Sequence, residues 1–109
     1  MIQLSPTFKS NLEQLPSIEL VARIELIDQD DSIVATIENQ PGKLGSLAVY
    51  QYLQQSFGLL NAEAAQHGLD VFAEITLDAK NRPGAHPNID RLLEIATGAP
   101  ALRMNVVAK

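Results

Sequence analysis

The chain contains no cysteine in its 109 residues. That removes disulfides, thiol nucleophiles and cysteine–metal sites together, so the fold must be held by burial alone. One domain of this length buries enough surface to manage it. No apolar run reaches bilayer length, and the opening MIQLSPTFKS lacks the basic-then-apolar build of a signal peptide. A cytoplasmic protein with no membrane partner is therefore expected. Cations are also scarce: 8 Lys and Arg stand against 13 Asp and Glu, for a net charge of −5. Nucleic acid is not an expected partner, because phosphate contacts need a field of Lys and Arg.

Catalytic signatures are missing too. The run PGKLGS is not a Walker loop, and neither G-x-G-x-x-G nor a G-x-S-x-G elbow occurs. Ser46, His86 and an acid such as Asp90 can be written down as a nucleophile triad, but Ser46 reads as a helix cap. Glu74 and Asp78, read on one strand, stand about 13 Å apart, too far for a carboxylate dyad. His67 and His86 fall in different elements, and Glu63 beside His67 makes only two ligands, so no metal or other cofactor is expected. Asp28, Asp30 and Asp31 lack the glycine and distal glutamate of a calcium loop and read as a turn. Charge itself is absent from Leu44 to Ala62.

What is present is periodicity. Ser5-Pro6 opens a short helix ending before Pro16. Ile18 to Leu26 alternates, with Ile18, Leu20, Ala22, Ile24 and Leu26 facing one way, and Ile33 to Glu38 returns as its hairpin partner. Ser46 starts a helix that runs to Phe57 and stops at Gly58. Asn61 caps a short helix closed by His67-Gly68. The run Leu69–Leu77, LDVFAEITL, alternates as a half-buried strand does. Ile89, Leu92, Leu93 and Ala96 form the stripe of another helix. Ala101 to Ala108 is the last strand. The predicted fold is α/β of the α+β type: two layers, a four-stranded mixed sheet, and helices packed on one face. The final strand–helix–strand is expected to be a right-handed parallel crossover.

Two Pro/Gly turns echo each other. Asn39-Gln40-Pro41-Gly42 precedes Ser46, and Asn81-Arg82-Pro83-Gly84 precedes Asn88 at the same spacing. If both lead from parallel strands into helices, both helix starts emerge at one sheet edge, where free N–H groups favour an anion. The candidate anion-binding residues are Lys43, Gly45, Ser46, Arg82, His86 and Asn88. The counter-reading is that Asp78 or Asp90 neutralises the cluster internally.

Two functions follow. One is a protein-interaction or scaffold domain that forms a homodimer through the helix Ser46–Phe57, where Tyr50, Tyr52 and Phe57 supply three of the five aromatic residues. The same helix reads equally well as buried on several sides within one chain. The alternative function is a domain, binding or catalytic, for an anionic small molecule at Gly42–Ser46 and Arg82–Asn88. The runs PGKLGSLAVYQYL and PGAHPNIDRLLEI, with LPSIELVARIELID before them, resemble a family of small bacterial proteins described only as a domain of unknown function. The resemblance spans about Leu12 to Gly98. It implies a bacterial, single-domain protein and brings no activity, substrate or catalytic residue with it.

Overall fold

The computed structural model describes residues 1–109 and gives five helices and four strands. In chain order these are α1 (Phe8–Leu12), β1 (Val21–Ile27), β2 (Ile33–Glu38), α2 (Leu44–Phe57), β3 (Leu59–Leu60), α3 (Ala62–Phe72), α4 (Glu74–Asn81), α5 (Pro87–Ala96) and β4 (Leu102–Ala108). The strands form one sheet in the order β2-β1-β4-β3. The α+β architecture and the four-stranded sheet are as expected. The mixed sheet is not: every neighbouring pair is antiparallel, and no parallel crossover exists.

The correction traces to one stretch. Leu69–Leu77 is helical: it holds the end of α3, a one-residue corner at Ala73 and the start of α4. Its alternation was a coincidence of two helices meeting. Ala64, Ala65, Gly68, Leu69 and Phe72 are all buried, which is a helical stripe that crosses the expected stop at His67-Gly68. Gly68 stays inside α3 for a packing reason. A Cβ there would lie 2.8 Å from Leu53 and 2.9 Å from Leu92, so its absence lets α3 settle between α2 and α5. Ala73 has φ 51° and ψ −120°. An alanine with positive φ costs on the order of 1–2 kcal/mol, met by the packing on either side. The missing strand is supplied by Leu59–Leu60, just after Gly58 turns the chain at φ 76°.

β1 starts later than its alternation suggests. A register shift between Val21 and Arg23 reverses the faces at the strand's start, so Val21, Ile24 and Leu26 are buried while Leu20 is exposed. A second shift, at Leu26/Ile27, leaves both Ile33 and Val34 more than half exposed.

α2 touches all four strands and is the hub of the core. Leu47 through Leu53 are buried without interruption, Tyr50 completely. This accounts for the missing charge over these seven residues: an ionised side chain here would have to shed its water with nothing to replace it. Tyr50 and Tyr52 are therefore covered within the chain itself, while Phe57 is half-buried. The N-terminal segment is tied down by Asn11, which is fully buried. Its amide oxygen accepts from Ser5 N–H at 2.8 Å, and its Nδ2 donates to the Ser5 and Val71 carbonyls at 3.1 and 3.0 Å.

Candidate functional site

The two Pro/Gly turns do meet. Gly42 and Gly84 both take positive φ, 87° and 90°, as N-x-P-G turns require of the glycine. Each turn delivers its chain to the start of a helix, α2 or α5. The true N-caps are Lys43 and His86, and neither makes a side-chain capping bond. Ser46 and Asn88 lie inside the first turns, which corrects the reading of Ser46 as a cap. Asn61 accepts from Ala64 N–H as anticipated, whereas α1 is capped by Thr7 and does not open on Ser5-Pro6.

Both helix starts open on one cleft of ≈ 220 Å³. Lys43, Gly45, Ser46, His86 and Asn88 line it. The route differs from the expected one, because the second turn joins helix α4 to α5 and no pair of parallel strands aligns the two. Instead the Tyr50 hydroxyl of α2 donates to the Asn88 carbonyl of α5 at 2.6 Å and ties the two helices together. Gly45 makes room for the wall beside them: a Cβ on it would come within 3.2 Å of the Phe8 ring, which stacks on Phe72 with ring centroids 5.2 Å apart. Phe8, Phe72 and Ile75 give the cleft an apolar wall. Sequence periodicity held no signal for that wall, since Phe8 and Phe72 belong to helices far apart in the sequence.

Arg82 is the residue that does not join the cleft. It forms a two-pronged ion pair with Asp78, through Nε to Oδ1 at 3.1 Å and Nη2 to Oδ2 at 2.5 Å. The same carboxylate sits 2.7 Å from His86 Nε2. Arg82 first, and then His86, hold the Asp78 carboxyl down at about 2, so it is ionised at any physiological pH. Asp78 thus offsets part of the charge of the basic loop, and Asp90 is spent on the Gly84 N–H at 3.0 Å. Lys43 has no carboxylate within 4.0 Å.

Ser46 and a His86–Asp78 pair in one place contain the members of a nucleophile triad, with Asp78 rather than Asp90 as the acid. No hydrogen bond joins Ser46 to His86, however, and activation of the hydroxyl requires one. Glu74 and Asp78, one helical turn apart instead of four strand residues, are each committed elsewhere: Glu74 accepts from Phe8 N–H at 2.7 Å. His67 lies apart from the cleft, against Tyr52. No helix is long and apolar enough to cross a membrane.

Compared with known proteins, the chain matches no curated protein and no solved structure. A family model does match, over residues 8–106, nearly the whole of the fold described above. The chain belongs to DUF2322, a family of uncharacterised proteins conserved in bacteria.

Proposed function

We propose that this chain is a small-molecule-binding domain that holds an anionic group between the starts of α2 and α5. The reading rests on one observation: Lys43, Ser46, His86 and Asn88, from turns some forty residues apart in sequence, line a single cleft with two helix N-termini. The unpaired N–H groups and dipoles of those termini add to the charge of Lys43. The apolar wall of Phe8, Phe72 and Ile75 would take the body of the ligand, so a compact carboxylate or phosphate ester with an apolar moiety suits it best. Thermal unfolding with inorganic phosphate and sulfate tests the reading, since a ligand that binds only the folded state raises Tm with its concentration. The wild type should be stabilised and Lys43→Ala should lose the effect. Asp78→Asn, which removes the anion competing for Arg82 and His86, should bind phosphate several-fold more tightly. A flat response in both the wild type and Asp78→Asn would refute the site.

A second reading, an interaction domain that self-associates, draws support from the outer face of the sheet rather than from α2. There the register shift leaves Ile33 and Val34 exposed in the strand beside Ile27, and Leu59 is partly exposed at the other edge. Sedimentation of wild type against Val34→Lys tests it: a dimer lost in the variant supports it, and a wild-type monomer at high micromolar concentration ends it.

A further inference from the structure

A larger cleft, ≈ 600 Å³, lies between the N-terminal segment, the α3–α4 corner and α5. Its lining is apolar along Leu69, Ala73, Leu93 and Ala96, and two leucines, Leu4 and Leu77, border it at 48% and 62% exposure. Two charges of opposite sign share the lining. Asp70 belongs to the last turn of α3 and Lys80 to the last turn of α4, on either side of the strained corner at Ala73. They do not reach each other: neither is in an ion pair, and the Asp70 carboxylate accepts only from Gln66 Nε2, at 3.2 Å. A cleft of this size falls within the range of small-molecule sites.

We propose that this cleft binds a short apolar zwitterion of dipeptide size, its ammonium at Asp70 and its carboxylate at Lys80. Charge complementarity selects the class. A ligand of one sign would satisfy one of the two groups and leave its like charge facing the other. Room selects the length: the cleft is larger than a single amino acid fills, and a dipeptide is the shortest zwitterion that brings two apolar side chains to its apolar lining. Leu69 and Leu93 then meet the ligand's apolar side chains.

The test is an amide-resolved NMR titration with leucyl-leucine, its N-acetyl derivative and its C-terminal amide. Leucyl-leucine should shift the amides of Leu69–Thr76 and Leu93–Thr97, and each blocked derivative should bind at least about tenfold more weakly. Asp70→Asn should abolish the difference between free and acetylated peptide, and Lys80→Met the difference between free and amidated peptide. Both positions are exposed, so neither change touches the core. Lys43→Ala, in the other cleft, should leave dipeptide binding unchanged, which separates this site from the one proposed above. Absence of shifts at these amides up to low-millimolar peptide would overturn the proposal. Equal binding of the blocked forms would overturn it as well.

Discussion

Tyr52 Oη and His67 Nε2 lie 2.7 Å apart, and the Ile2 N–H donates to the same tyrosine oxygen at 3.3 Å. With its oxygen accepting from Ile2, Tyr52 keeps its own proton free to donate to a neutral His67 Nε2. Burial acts in the same direction and pulls the His67 pKa below its usual 6.5, against the opposing pull of Asp70. A folded state that disfavours the proton binds fewer protons than the unfolded chain does. Stability from this contact is therefore complete above pH 6.5 and is lost as pH falls through the depressed value. Tm followed against pH should decline on the acid side of 6.5 in the wild type and less steeply in His67→Gln. Parallel curves would show that His67 is not the group responsible.

Gly68→Ala should destabilise, although alanine is the better helix former by about 1 kcal/mol. The new methyl meets the terminal methyls of Leu53 and Leu92, both fully buried, at less than 3 Å, so these side chains or the helices that carry them must shift. Overpacking of this kind costs about 1–3 kcal/mol, more than the propensity gain. Urea denaturation at constant m-value measures the balance. A more stable variant would mean that the α3 interface is looser than described.

Asn11→Ala removes the amide that links the N-terminal segment to α3. It leaves the Val71 carbonyl and both main-chain groups of Ser5 without their partner, at a cost of about 2 kcal/mol or more. Hydrogen exchange should show the Ser5 amide losing protection first, with the sheet amides following only as global stability falls. A loss below about 0.5 kcal/mol would mean that water replaces the amide without penalty.

The hairpin, the last strand and the stop at Gly58 were legible because their signals are local: strict alternation, a turn rich in aspartate, a glycine at positive φ. The break at Ala73 was not. A chain that turns a corner normally marks it with glycine or proline, and here an alanine is forced to positive φ by helices packed on both sides of it. With no visible break, LDVFAEITL shows only the alternation of its side chains, and a strand there entails the parallel crossover that the structure lacks. Gly68 misled in the opposite way, marking a close approach rather than an end. For the site, N-x-P-G chemistry identified both turns. What brings them together, the Tyr50 hydroxyl on the Asn88 carbonyl, is a contact between distant residues that periodicity does not carry. Arg82 is drawn away from the cleft by Asp78, a pairing four residues apart that a helix brings together and that the strand-like alternation of this stretch conceals.

β4 occupies an interior place in the sheet although it is the last element of the fold, pairing with β1 across some eighty residues and also with β3. During synthesis, then, β1 must wait. Its hairpin with β2 can close early, but its other edge stays open until residues 102–108 have left the ribosome. Through that interval Ile24 and Leu26 lack one flank, and an unfilled position between β1 and β3 would accept a strand from another nascent chain as readily as its own. Cellular yield of this protein should depend on how quickly residues 102–108 follow the rest of the fold out of the ribosome, because a chain without them keeps an open sheet edge.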